Sequence, residues 1–167
     1  MITQTARKIP IFAFTITMLG LISGCSSQAV NEPARSPARE AVVRPQSLGE
    51  KAAAIAFDQV GAPYRYGGAA RSGFDCSGLV HYAYGHAGKT VARTTGELWS
   101  STSSIPREDL QVGDVLFFHI EGKMSHVGLY LGGQRFVHAP SSGRTVAVAK
   151  LNSPYYAAAF IRGGRPK

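Results

Sequence analysis

The order in which two hydrophobic periods follow one another constrains this fold most. Up to Trp99 the apolar residues recur at helical spacing; beyond Asp114 they come as short runs cut by glycine, proline or serine. Ser47 with Glu50 reads as a capping box ahead of Ala52, Ile55, Ala56, Gln59 and Val60, which supply one helical face. Gly61-Ala62-Pro63 ends that helix, and 64–73 is a glycine-rich loop. Asp75 can cap a second helix that begins at Cys76 and runs to the neighbourhood of Ala87. Thr94 with Glu97 opens a third, short helix past Trp99. Strands are expected at 114–119, 126–131, 134–139 and 145–151, with 158–162 as a last one. Helices first and strands after imply an α+β domain with a small antiparallel sheet, helices in the N-terminal half packed on it. No internal repeat interrupts this pattern, and 19 glycines and 9 prolines suit its many turns.

The first residues carry an address rather than a fold. Arg7-Lys8 precedes an uncharged, mostly apolar stretch over 9–22, a signal-type segment too short to span a bilayer comfortably. Ile22-Ser23-Gly24-Cys25 resembles the bacterial lipobox, which implies a signal over 1–24 and lipidation of Cys25. Residues 25–46 read as a tether, with Pro33, Pro37 and Pro45 and no apolar period. Such a segment has a root-mean-square reach of roughly 25 Å and a stretched span of about 70 Å. Ser26, in place of an aspartate, points to the outer membrane, facing the periplasm. The formal charge is +8, which falls to about +6 once Arg7 and Lys8 leave with the signal. The basic residues are scattered, with no basic helix and no aromatic-basic repeat, which argues against nucleic acid as a partner.

With Cys25 assigned to the anchor, Cys76 is the one cysteine left for chemistry. A lone thiol in an exported chain is either buried and inert or reactive. The first turn of a helix lowers a thiol pKa, because the amide dipoles favour the anion, and its free N–H groups can hold an oxyanion. An acyl-transfer thiol also needs a base. Of five histidines, His81 and His86 lie on the Cys76 helix and point away from its mouth, while His119 ends a strand. His126 and His138 sit on neighbouring strands joined at Gly132-Gly133. A two-residue loop pairing Leu131 with Gln134 would put them on opposite faces; a three-residue loop or a bulge brings them to the same face, nearly opposite each other. The second arrangement is expected, with His126 as base and His138 orienting its ring.

Several stretches together resemble the NlpC family of papain-like bacterial cell-wall peptidases, in the lipoprotein form. They are Pro63-Tyr64-Arg65-Tyr66-Gly67-Gly68, Phe74-Asp75-Cys76-Ser77-Gly78-Leu79-Val80, Arg93-Thr94-Thr95, Leu110-Gln111-Val112-Gly113-Asp114-Val115-Leu116-Phe117-Phe118, Ser125-His126-Val127-Gly128-Leu129-Tyr130 and Phe136-Val137-His138-Ala139. They occur in family order over 47–162. The one departure is Val91-Ala92 before Arg93, where relatives often carry a proline. The resemblance implies a papain-like domain over 47–167, with Cys76 as nucleophile, His126 as general base and His138 as the ring-orienting third residue. It places Tyr64, Asp75 and Ser77 at the substrate or oxyanion. It implies hydrolysis of an amide bond in the peptide part of peptidoglycan, either a γ-D-glutamyl–diaminopimelate link or a D-alanyl–diaminopimelate cross-link. Neither metal nor other cofactor is implied. The expected partners are murein stem peptides and a membrane reached through the lipid, and the expected state is a monomer. The alternative reading is a non-catalytic lipoprotein that binds or scaffolds peptidoglycan.

Overall fold

In a computed structural model of the chain, residues 46–167 are described, apart from 121. The expected signal, the expected lipidation site Cys25 and the expected tether as far as residue 45 lie outside the described residues. No helix among the described residues is long and apolar enough to cross a membrane.

The three helix starts read from the sequence are present with their caps. Helix α1 spans Leu48–Phe57 under a complete Ser47–Glu50 capping box, and α3 spans Thr95–Ser101 under a complete Thr94–Glu97 box. Helix α2 spans Cys76–Ala87; Asp75 caps it through a 2.6 Å bond from the Gly78 N–H, and Gly88, at φ 103°, closes it in the left-handed region that favours glycine. Val60 falls beyond the end of α1 and is exposed, so the apolar face is shorter than its period suggested.

Two two-residue strands, β1 (Ala69–Ala70) and β2 (Gly73–Phe74), pair in the loop before α2. The main sheet holds β3 (Thr102–Ile105), β4 (Val115–Ile120), β5 (Lys123–Gly132), β6 (Arg135–His138), β7 (Ala147–Lys150) and β8 (Phe160–Pro166). Its order is β3-β8-β4-β5-β6-β7, antiparallel throughout. The fold is therefore the mixed α and β domain that the period change implied. Two elements differ from the sequence reading. The segment Pro154–Ala159 forms a helix, α4, capped by Ser153, and the last strand starts only at Phe160. Strand β3 continues directly out of α3 with polar, largely exposed residues, so no alternation marks it.

Helices α1 and α2 cover one face of the sheet. Leu79, Val80, Ala83 and Tyr84 of α2 pack with Val115, Phe117, Val127 and Leu129, all fully or nearly fully buried. The opposite face carries a second core of Leu116, Phe118, Phe136 and Leu151, against which Tyr156 of α4 rests. Gly78 allows the closest approach: the Gly68 carbonyl lies where any Cβ would project, so the loop before α2 presses directly on its first turn. This packing fixes the mouth of α2 against the middle of β5.

A candidate cysteine active site

Cys76 is the first residue of α2, and its sulfur reaches β5, lying 3.8 Å from the Ser125 carbonyl. Ser125 occupies a bulge: Phe118 pairs with His126 but His119 pairs with Met124, leaving Ser125 as the extra residue. Cys76, Tyr64, Ser125 and His126 line one cleft of about 690 Å³, which Arg144 and Tyr156 border as well.

The two histidines share a face through the second arrangement considered for their hairpin. The pairings Leu129↔Val137 and Tyr130↔Phe136 shift to Gly132↔Arg135, so Leu131 is bulged. Gly133 and Gln134, at φ 57° and 59°, then make the turn. The rings are offset along the strands rather than directly opposed. His138 lies against Gly128, where a Cβ would meet the His138 Cβ at 3.2 Å and the Val137 carbonyl at 2.8 Å. The missing side chain leaves room for the rings to lean together, and His126 Nε2 meets His138 Nδ1 at 2.7 Å. His138 Nε2 in turn lies 3.4 Å from the Tyr156 hydroxyl.

These contacts admit a consistent proton order. When His138 carries its proton on Nε2, it donates to Tyr156 and its Nδ1 accepts from His126 Nε2–H. His126 Nδ1 is then the unprotonated nitrogen and belongs to the ring that shares the cleft with Cys76.

Burial sets the charge states. It holds His126 down from 6.5 to about 4, and it holds His138 at about 3, with help from the neighbouring His126 and from Arg144. For Cys76 the expectation of a lowered pKa is overturned. Burial pushes the thiol up by more than the Val127 N–H, the Thr95 hydroxyl and the Ser77 N–H pull it down. The helix mouth is real, but Cys76 lies at the inner edge of the cleft, and its desolvation, with the nearby Asp75 charge, outweighs the dipole. The resting pair is therefore a neutral thiol beside neutral imidazoles.

The depressed histidines make a stability prediction. Between pH 6.5 and 4 the unfolded chain binds protons that the folded one refuses, so stability falls as pH falls through this window and is fully present above it. From His126 alone the loss is roughly 3 kcal/mol. Thermal melts from pH 7.5 to 4.5 should show a steadily falling Tm; a flat Tm across that range contradicts the assignment.

Of the other predicted residues, Tyr64 lies in the cleft, half-buried, with its phenol pKa raised by burial and by the nearby Cys76 and Asp75. Asp75 and Ser77 turn away from the cleft. The Asp75 carboxylate takes two bonds from Arg93 (2.9 and 2.8 Å), one from the Gly67 N–H and one from the Gly78 N–H. Ser77 is buried, and its hydroxyl accepts from Arg93 at 3.1 Å. Burial pushes the Asp75 carboxyl up, but Arg93 and the two N–H groups outweigh it and hold it below the usual range. His119 is exposed, His81 Nδ1 bonds the Val91 carbonyl, and His86 stacks on Tyr82. Sequence reasoning missed Thr95, Tyr156 and Arg144. The Ser153-Pro154 pair marked the helix that delivers Tyr156, but no local signal tied any of the three to Cys76.

A family model described as NlpC/P60 matches residues 61–165. The chain belongs to the NlpC/P60 family. Among curated relatives, it is 36% identical over 126 residues to the murein DD-endopeptidase MepH of Escherichia coli K12, covering 70% of this chain and 46% of that protein. It is 35% identical over 100 residues to the gamma-D-glutamyl-L-lysine dipeptidyl-peptidase of Bacillus subtilis 168, covering 58% and 34%. The chain thus spans less than half the length of these relatives. Among solved structures, the NlpC/p60 domain of the peptidoglycan hydrolase SagA aligns with a TM-score of 0.62 at 32% identity, covering 70% of this chain and 97% of that one. An NlpC/P60 protein of Bacillus cereus ATCC 10987 aligns with a TM-score of 0.66 at 31% identity, covering 72% and 40%.

Proposed function

We propose that this chain is a cysteine peptidase that hydrolyses an amide bond in the peptide part of peptidoglycan. The observation that carries this reading is the 2.7 Å bond from His126 to His138 behind a cleft that holds Cys76 at the mouth of a capped helix. Family membership and the names of the relatives support the substrate class.

The chemistry runs through the neutral pair. The Cys76 thiol proton passes to His126 Nδ1 as the sulfur attacks the scissile carbonyl. The Cys76 N–H and the Tyr64 hydroxyl are the groups proposed to receive the oxyanion. His138 stabilises the imidazolium through the bond at Nε2. His126 then gives its proton to the leaving nitrogen, the C–N bond breaks, and a thioester remains on Cys76. Water attacks that thioester while His126 takes its proton, which returns to the sulfur as the acid leaves. Asp75 and Ser77 serve this site by fixing the helix mouth through Arg93.

Tyr156 is a positioning residue in this scheme, since it accepts from His138 and so favours the tautomer that leaves His126 Nδ1 free. Tyr156→Phe should lower kcat about 2- to 10-fold, the worth of one neutral hydrogen bond, with KM unchanged. A raised KM with kcat unchanged would make it a substrate contact instead.

Upstream, Cys25 is proposed to carry the lipid that tethers the domain to the outer membrane, with 25–46 as its leash. Digestion of purified sacculi, followed by mass spectrometry of the soluble products, tests the activity. New muropeptides cut at one defined amide bond are expected. Intact sacculi, with the protein retained on them, favour the peptidoglycan-binding alternative.

A further inference from the structure

The cleft is lined by one formally charged side chain among the described residues, and it is a cation. Arg144 borders the cleft with Tyr64, Cys76 and His126, and no carboxylate of a described residue accompanies it in the lining. It is exposed and forms no ion pair among the described residues, where the ion pairs are Arg93–Asp75 and Arg165–Asp114. Other arginines are occupied: Arg162 lies over Trp99 at 3.8 Å, and Arg107 bonds Gln134 at 3.1 Å.

Its backbone is held in place. The Tyr64 N–H donates to the Arg144 carbonyl at 2.8 Å, and the Arg144 N–H donates to the Ser141 carbonyl at 3.1 Å. Pro63 and Thr145 bridge beside them, and Gly143, at φ 77°, supplies the turn. Arg144 is thus pinned next to Tyr64, the residue at the proposed oxyanion, while no described residue claims its guanidinium. Its field reaches the site, since it helps hold His138 down. With Cys76 and both imidazoles neutral at rest, no described residue of the lining offsets this charge. A guanidinium with open donors recognises planar anions, carboxylates above all.

We infer that Arg144 anchors a free carboxylate of the substrate beside the scissile bond. This rests on the murein peptidase reading and sharpens it. In a γ-D-glutamyl link, the acyl residue keeps its α-carboxylate free. In a D-alanyl–diaminopimelate cross-link, the carbon bearing the acylated nitrogen keeps its own carboxylate. Both bonds offer the anion, on opposite sides of the reacting carbonyl, so the carboxylate that Arg144 holds reports which bond lies over Cys76. A peptide whose carboxylate is amidated is accordingly a poor substrate.

The test is a mutant cycle on the full chain with synthetic stem peptides. The peptides carry either the γ-D-glutamyl link or the D-alanyl cross-link, each with the adjacent carboxylate free or as its amide. The proteins are wild type, Arg144→Gln, Arg144→Lys and Cys76→Ala. The expected result on the cleaved link is a loss of about 10- to 100-fold in kcat/KM on amidation in wild type. Arg144→Gln should lose the same on the free-carboxylate peptide and nothing further on the amide. Arg144→Lys should recover part of the loss, as a point charge without the fork. Equal kcat/KM for wild type and Arg144→Gln on the free peptide overturns the inference, as does an amidation penalty of the same size in both. Failure of the underlying reading looks different: wild type leaves every peptide intact, or Cys76→Ala cleaves as fast as wild type, and the inference then falls with it.

Discussion

Cys76→Ala should abolish peptide release from sacculi, with a loss in kcat of at least about 10⁴-fold, because nucleophile and base act as one unit. His126→Ala should approach the same floor, and the double variant should lose little more than either alone. The protein should stay folded. Cys76 sits at the cleft edge of the core, and trimming one sulfur at such a place costs about 1 kcal/mol. A Tm within a few degrees of wild type, alongside lost activity, would separate chemistry from folding. Ordinary cleavage by Cys76→Ala would remove the sulfur from the mechanism altogether.

Asp75→Ala is the second large effect, and it acts on stability first. This carboxylate caps α2, closes a bidentate pair with Arg93 and ties down the Gly67 N–H. Losing a cap costs about 1 kcal/mol. Stranding the other half of a well-shielded pair costs several more. The Arg93 side chain is 32% exposed against 13% for Asp75, so water recovers part of that charge. The net expectation is about 3 kcal/mol, or a fall in Tm on the order of 10 °C. Asp75→Asn keeps a cap acceptor and should lose less. The pair also has an acid signature: its stabilisation is present above the ordinary carboxylate pKa near 3.8 and is lost as pH falls through the lower folded value. Urea titrations at pH 7 and pH 3 should show the Asp75→Ala penalty shrinking at pH 3. An equal penalty at both would mean the cap, and not the ion pair, dominates.

What the sequence made legible were features that short-range physics decides. Both capping boxes sit within four residues, and the lone cysteine after Asp75 marks the mouth of α2 in the chain itself. The face shared by His126 and His138 followed from alternation once a bulge near Gly132-Gly133 was admitted. The less legible parts were decided by packing. Strand β3 pairs with β8, more than fifty residues away, and its Thr-Ser-Ser-Ile has no alternation to announce it. The stretch 158–162 looks like one strand, yet Ser153-Pro154 starts a helix that carries through Ala159 first. The Cys76 pKa depends on how deeply the sulfur sits, and no local motif encodes depth; there burial beat the helix dipole. Tyr156 and Arg144 reach the cleft from segments that only the assembled fold brings near α2.

The central claim is that the sulfur of Cys76 becomes acylated during turnover. Acid-quenched reactions with a stem peptide, digested and mapped by mass spectrometry, address it directly, with the rate after alkylation of Cys76 as the paired readout. The predicted result is the acyl half of the substrate on the fragment holding Cys76, and a rate that vanishes in step with alkylation. Product forming while that fragment keeps its unmodified mass at every time, at a rate that alkylation leaves unchanged, would contradict it.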